Sequence, residues 1–441
     1  MYYDVIVRFR ENDHLSLFYH RIHKLKINLT YFILAFPLKL CYDKLHTFMN
    51  SINIDSFYLT KGGPFMNPLR STAHYFKNTD LYLLLLALCC SAYSLVLVNS
   101  ATATDSLHDR YMLIQSIATG IGFFVFIIMS LIDLESIKRY WHILLVFNIL
   151  FQLSMLFLGT DHGGNRSWIT IGSITIQPGE IGKILFIITF AAHLMLVFEE
   201  INRWQTLLQL SLHVMLLIGA ILIAQHDAGV AFSYIPIALT MIFAAGISYK
   251  WVFGGLVFGL AAVPILFQFL SGYRLARILV LFDPAIDNLY QGKDYYHQTA
   301  QSKIAIGAGQ FSGAGYMQGL QTQYGKVPVN RSDFIYTVAG EEFGFIGAIL
   351  VILLLSLLVL RLFYVSFRAG STFSALLTVG IAGMFMFQSF QNILMCLGMF
   401  PVVGITLPLF SYGGTSVVTM YAALGVAAGV RMRAKPSWLQ K

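Results

Sequence analysis

Three carboxylates stand where an apolar stretch begins: Asp333, Glu341 and Glu342 in "RSDFIYTVAGEEFGFIGAILVILLLSLLVL". Ionisable groups next to hydrocarbon are costly, which makes them functional candidates by default. A carboxylate within reach of a hydroxyl can act as its general base. Glu180 and Lys183 follow "TIQPG", three residues apart, so on a helix they share one face. Pro178 suits the first turn of that helix and Glu180 its positive end. The spacing alone is equally met by a helix-start carboxylate with a partner lysine. Asp227 lies in "QHDAG". Arg274 and Arg277 are again three apart, in "YRLARILVLFDP", and Lys303 precedes a glycine-rich run in "QTAQSKIAIGAGQFSGAGYMQG". Arginine forks and exposed backbone N–H groups hold phosphate or pyrophosphate. The glycine run matches neither the P-loop nor the dinucleotide fingerprint, and a solvated basic loop beside anionic headgroups would read the same way. His193, His213 and His226 lack metal-ligand spacing, and Cys41, Cys89, Cys90 and Cys396 form no zinc motif or disulfide ladder.

The elements that must position these groups are membrane helices. The 441-residue chain is 57% hydrophobic and only 11% charged, whereas a soluble domain carries about a quarter charged residues. Apolar runs long enough to cross a bilayer recur along it and do not alternate, so helices rather than a closed barrel are expected. The length criterion gives about ten spans: Leu81–Asn99, Tyr111–Ile132, Trp141–Gly159, Ile181–Phe198, Leu207–Ala224, Val230–Ile247, Trp251–Leu270, Thr337–Leu360, Thr372–Leu397 and Ile405–Val430. The expectation is an all-α polytopic membrane protein.

Basic residues mark the cytoplasmic side of short loops. Lys138, Arg139, Arg203, Lys250, Arg361, Arg368, Arg431, Arg433 and Lys435 all fall on one side, with Arg70 and Lys77 ahead of the first span. Both termini are therefore expected in the cytoplasm, with a large extracytoplasmic loop over 271–336 between the seventh and eighth spans. Residues 66–80 form a cytoplasmic N-terminal segment, 81–430 the transmembrane domain and 431–441 a basic tail. Residues 1–65 carry scattered charge and a patch, "LTYFILAFPL", too short to span. "KGGPFM" reads as a translated ribosome-binding site, which makes Met66 the expected natural start; a cytoplasmic tail is the rival. The net charge of +8 is spread over short loops with no aromatic-interleaved stripe, so no nucleic-acid partner is expected. The ionisable groups gather at outer helix ends and leave the bilayer middle nearly free of charge. Outer-surface chemistry is expected, not a charged path across the membrane.

Six segments, in order, resemble the SEDS family (shape, elongation, division and sporulation proteins, including RodA, FtsW and SpoVE). They are "RSWITIGSITIQPGEIGK", "QHDAG", "RLARILVLFDP", "QSKIAIGAGQFSGAGYMQG", "VPVNRSDFIYTVAGEEFGFIG" and "GMFPVVGITLPLFSYGGTS". "GYMQGLQTQYGKVP" looks closer to RodA than to FtsW. His226, Gly179, Arg331 and Ser332 depart from the family pattern. The resemblance implies a peptidoglycan glycosyltransferase of the cell membrane that polymerises lipid II. It also implies a class B penicillin-binding protein as partner, with other cell-wall synthesis proteins. The family's essential aspartate maps onto Asp333, and its Glu and Lys after "QP" onto Glu180 and Lys183.

Glycosidic bond formation from a sugar pyrophosphate needs a base on the acceptor hydroxyl and charge neutralisation at the leaving group. Asp333 is expected as base, and Lys183, oriented by Glu180, as a catalytic cation. Arg274, Arg277, Lys303, Arg166, Trp168, Gln301 and Ser302 are expected to bind substrate. No cofactor is assigned; arginine, lysine or a divalent cation, Mg or Mn, would supply the neutralising charge at the pyrophosphate. Gly413 and Gly414 are expected to permit close helix packing or a break. Of Glu341 and Glu342, one is expected to line the cavity and one to pair with a basic residue. The rival readings are a flippase for the same lipid, which would need a site near the midplane, and a non-catalytic scaffold.

Overall fold

The computed structural model describes residues 79–162, 165–171, 174–255, 257, 259, 261, 278–281 and 295–434. The expectations for the N-terminal extension, Arg274, Arg277 and the basic tail beyond Ala434 lie outside the described residues.

The helices are α1 Leu81–Ala101, α2 His108–Leu131, α3 Leu134–Leu158, α4 Pro178–Leu196, α5 Trp204–Gln225, α6 Ala228–Ala244, α7 Tyr295–Ala308, α8 Ile335–Glu342, α9 Gly344–Phe367, α10 Thr372–Cys396 and α11 Gly414–Arg433. Among the described residues, all of these but α6, α7 and α8 are long and apolar enough to cross a bilayer, eight in all. The chain is a multi-pass membrane protein. The sixth expected span is the 17-residue α6, and the seventh runs largely outside the described residues.

Burial divides the helices by role. α4, α10 and α11 form the centre, where Phe186, Phe190, Phe373, Phe385 and Tyr421 are fully buried. α2 and α3 present Ile117, Phe124, Phe147 and Leu150 outward, as helices facing lipid do. α11 lies along α2, and α10 packs against α9, α6 and α4. One end of the bundle collects ion pairs: Lys138 with Glu135 at 2.7 Å, Arg361 with Asp80 at 2.9 Å, and Arg433 with Asp133 at 3.9 Å. Glu135 also accepts from Ser371 and Ser374 at the start of α10. The opposite end, the outer one by the distribution of basic loop residues, carries a small antiparallel sheet: β1 Thr160–His162, β2 Asn165–Ile171 and β3 Ile174–Ile176.

Two expected spans differ from the observed helices. The eighth is not continuous. It is α8 and α9 joined at Gly344, whose φ of +64° lies in the left-handed region. A Cβ there would lie 2.3 Å from the Gly313 nitrogen, so the break also lets the outer segment approach the backbone. The tenth begins at Gly414, not Ile405. The apolar residues before it form a buried, non-helical loop. Pro408 supplies no N–H there, and side chains satisfy part of the backbone: Ser411 Oγ accepts from Leu407 N at 2.7 Å, and Asn392 Nδ2 donates to the Ile405 carbonyl at 2.8 Å. Irregular backbone at this depth is tolerated only when buried in protein or lining a cavity. Gly413 and Gly414 mark the loop-to-helix change, but a Cβ at either would meet nothing closer than 3.6 Å, so close packing is not what they provide.

Candidate active site

Asp333 lies just before α8 in a tight turn, with Ser332 N and Phe334 N both donating to the Val329 carbonyl. Val329 is β-branched with φ +56°, a strained conformation that surrounding contacts must hold. They come from two other elements. Asn392 Nδ2, from the outer end of α10, donates to the Asp333 carbonyl at 2.8 Å, with the Cys396 thiol beside it at 3.7 Å. From the loop after α10, Ser411 Oγ donates to the Ser332 carbonyl at 2.6 Å and Tyr412 N to the Arg331 carbonyl at 2.9 Å. The backbone of residues 331–333 is therefore clamped while the Asp333 side chain stays half-buried. Gly404, at φ +75°, passes the carboxylate: a Cβ at that position would lie 3.6 Å from Asp333 Oδ2.

Arg331, two residues away, is already engaged. It pairs with Asp105 at 3.3 Å, and its guanidinium lies 4.4 Å from the centre of the Tyr111 ring. Lys303 is an exposed cation of this region. It lies on α7 against Gly398, whose Cβ position would be 3.0 Å from Lys303 Cδ. α10's outer end thus meets both Asp333 and Lys303. Ser302 is turned inward: its hydroxyl contacts Thr337 Oγ1 at 2.5 Å and donates to the Cys396 carbonyl at 2.7 Å, tying α7 to α8 and α10. Gln301 is half-buried on the same helix.

Glu180 and Lys183 form a buried ion pair on α4, Nζ to Oε1 2.7 Å, with side chains 5% and 1% exposed. An amide network from α3 and α5 surrounds it. Gln225 Nε2 donates to Gln152 Oε1, Gln152 Nε2 to Asn148 Oδ1 and the Pro178 carbonyl, and Asn148 Nδ2 to the Gly182 carbonyl. Asp227 caps α6 through Val230 N at 3.0 Å and accepts from Ser167 Oγ of β2 at 2.9 Å. Burial pushes its carboxyl above the ordinary aspartate range, and these donors pull partly the other way. β2 also carries Arg166, exposed, and Trp168, half-buried. β3 reaches the start of α11, where Thr415 Oγ1 donates to the Thr175 carbonyl at 2.7 Å.

The structure corrects the expectation for Glu341 and Glu342. Both are buried, and neither has a basic partner among the described residues. Glu342 accepts from Ser100 Oγ, Gln323 Nε2 at 2.8 Å and Met317 N at 3.1 Å. Glu341 accepts from Gln321 N at 2.7 Å and Thr322 N at 2.9 Å. They anchor the outer segment onto α1 and the α8–α9 break. Neutral donors satisfy them because an N–H or hydroxyl that is itself buried offers a fixed dipole without a second desolvated charge.

Sequence reasoning missed Asn392 and Ser411, which hold Asp333 in place. A signal was available for the first: Gln388, Gln391 and Asn392 fall on one face of an otherwise apolar span. Among the described residues, no three His, Cys, Asp or Glu side chains converge into a metal site.

Residues 80–435 match the FtsW/RodA/SpoVE family, described as cell cycle proteins. The chain is 32% identical over 371 residues to the probable peptidoglycan glycosyltransferase FtsW of Geobacter sp. (strain M18), covering 81% of this chain and 98% of that one. It is 30% identical over 376 residues to the peptidoglycan glycosyltransferase MrdB of Escherichia coli (strain K12), covering 84% and 98%. Among solved structures it resembles a chain of a peptidoglycan synthase complex that coordinates polymerization and crosslinking, with TM-score 0.68 and 26% identity over 81% of this chain and 99% of that one. Overall identity does not separate the two kinds of relative, so the leaning towards RodA stays an expectation. This chain belongs to the FtsW/RodA/SpoVE family of cell cycle proteins.

Proposed function

We propose that this protein is a peptidoglycan glycosyltransferase that polymerises lipid II at the outer face of the cytoplasmic membrane, with Asp333 as general base. The observation that carries the reading is the clamped backbone of residues 331–333: three donors from two other elements fix the turn that carries the half-buried Asp333 carboxylate. A base so held loses little by reorganisation when it meets the acceptor. The names of the relatives and of the synthase complex support the same activity.

In the proposed reaction Asp333 takes the proton of the acceptor GlcNAc 4-hydroxyl as its oxygen attacks the donor's anomeric carbon. The bond from that carbon to the pyrophosphate breaks, and undecaprenyl pyrophosphate leaves with the electron pair. Attack opposite the leaving group inverts the centre, turning an α-linked donor into a β-linked polymer. Lys303, with Arg274, Arg277 and Arg166, would neutralise the pyrophosphate from the outer segments. Lys183, held by Glu180, would do so from within the bundle. Trp168 and Gln301 complete the proposed substrate-binding set, while Ser302, turned inward onto Thr337 and the Cys396 carbonyl, holds α7 in place instead. A divalent cation would be carried chiefly by the pyrophosphate, as magnesium commonly is.

The partner proposed is a class B penicillin-binding protein that cross-links the new glycan. The test is polymerisation of fluorescent lipid II by the purified protein with that partner, its transpeptidase blocked. Glycan ladders are expected. Their absence, while a proven polymerase works under the same conditions, would leave a flippase or a scaffold.

A further inference from the structure

Among the described residues, nine buried side-chain atoms have no hydrogen-bond partner, and four of them fall within one turn of α10: Gln388 Nε2 and Oε1, Ser389 Oγ and Gln391 Oε1. Two more lie on α4, which packs against α10, and on α5 beside α4: Glu180 Oε2 and Gln225 Oε1. Buried polar groups are almost always paired, so such a cluster calls for an explanation.

Its position is informative. With 3.6 residues per turn, Asn392 lies about 40° to one side of Gln388 and Gln391 about 60° to the other. Asn392 is the residue that holds the Asp333 carbonyl. Gln391 points to the side of Gly380, which abuts Ile187 of α4 and Met241 of α6. α4 and α10 run antiparallel, so eight residues outward from that contact, about 12 Å on each helix, Gln388 is level with Gly179 and Glu180. Gln388 therefore lies between the two halves of the candidate site, Asp333 on one side and the Glu180–Lys183 pair on the other.

We propose that Gln388, with Gln391 beside it, is a sugar-binding subsite for the lipid-linked disaccharide, an assignment that rests on the glycosyltransferase reading. A carboxamide donates and accepts at once, and in Gln388 both ends are unused. That matches hydroxyl and acetamido groups; pyrophosphate would call for positive charge, which neither glutamine carries. All these atoms are shut off from solvent, so the sugar enters as the outer ends of α4 and α10 part.

The test is Gln388→Met in the full-length protein, with binding measured for two probes, lipid II and undecaprenyl pyrophosphate, which lacks the sugars. Losing one or two hydrogen bonds is expected to weaken lipid II binding about tenfold or more. Undecaprenyl pyrophosphate binding and the thermal midpoint should hold at wild-type level or above. A packing residue, or one satisfied by an ordered water, would give unchanged lipid II binding and overturn the subsite. Equal weakening of both probes would overturn it too. Should the methionine variant fail to fold, Gln388→Glu, which keeps the shape and loses the donor, is read by the same criteria. A wild type that binds lipid II better than undecaprenyl pyrophosphate yet makes no polymer refutes the catalytic reading alone. A wild type that shows no preference for lipid II overturns the subsite.

Discussion

Asn392→Leu should separate the placement of Asp333 from the presence of its carboxylate. Asn392 is fully buried, and its two N–H groups go to the Asp333 and Ile405 carbonyls, each at 2.8 Å. Leucine fills similar space and donates nothing. One buried and one partly buried carbonyl left without this donor would together cost about 2–4 kcal/mol if the chain stayed in place. The turn over 329–334 is already strained at Val329, so part of that cost is relieved by movement of the turn, with Asp333 on it. A displacement of about 1 Å at a reacting group costs on the order of a hundredfold in turnover. The assay is single-turnover polymerisation of fluorescent lipid II with the partner present, alongside equilibrium binding of the same lipid. The expected result is a rate about a hundredfold lower with affinity within about threefold, because the donors proposed to bind substrate are untouched. A folded variant that turns over within about threefold of wild type would refute the view that α10 positions the base.

Further outcomes follow from the same geometry. Glu342→Leu removes the acceptor for Ser100 Oγ, Gln323 Nε2 and Met317 N, and should cost about 3 kcal/mol or more. Glu342→Gln, which keeps one acceptor oxygen, should cost less. Thermal unfolding in detergent reads both, and an unchanged midpoint for the leucine variant would contradict the anchoring role. Asp227 makes a prediction about pH. Burial, with a contribution from the Glu180 charge, raises its folded pKa above the ordinary 3.8, so the native state binds the proton more tightly than the unfolded chain. Its contribution to stability therefore falls as pH rises through the window from that value up to the folded pKa, and is flat above it. Asp227→Asn lacks this fall, so its stability relative to wild type should climb with pH across the same window; a flat difference would be the contrary result.

How far the sequence reaches depends on the kind of interaction. The membrane-helix class was legible because backbone in lipid must satisfy itself, leaving long apolar runs as a direct signature. The same reasoning misplaced the tenth helix: Ile405–Phe410 is apolar yet non-helical, and its backbone is served by Asn392 and Ser411. Glu341 and Glu342 were visible as costly groups but not as anchors, since Ser100 lies 242 residues from Glu342 and a neutral donor leaves no charge pattern to read. Three short strands and the Ser167–Asp227 bond brace the segment between α3 and α4 against α6, a long-range pairing that the apolar-run criterion does not show. Asp333 came from a motif, and its surroundings, gathered from α10 and the loop after it, came only with the fold.

The most direct measurement is the single-turnover rate of lipid II polymerisation by Asp333→Asn, beside wild type, with lipid II binding measured on both. Asparagine keeps the size of the side chain and the backbone clamp but cannot take the acceptor's proton. The rate should fall about 10²- to 10⁴-fold, the usual worth of a general base, with binding retained. Equal glycan ladders from the two proteins would remove Asp333 from the chemistry.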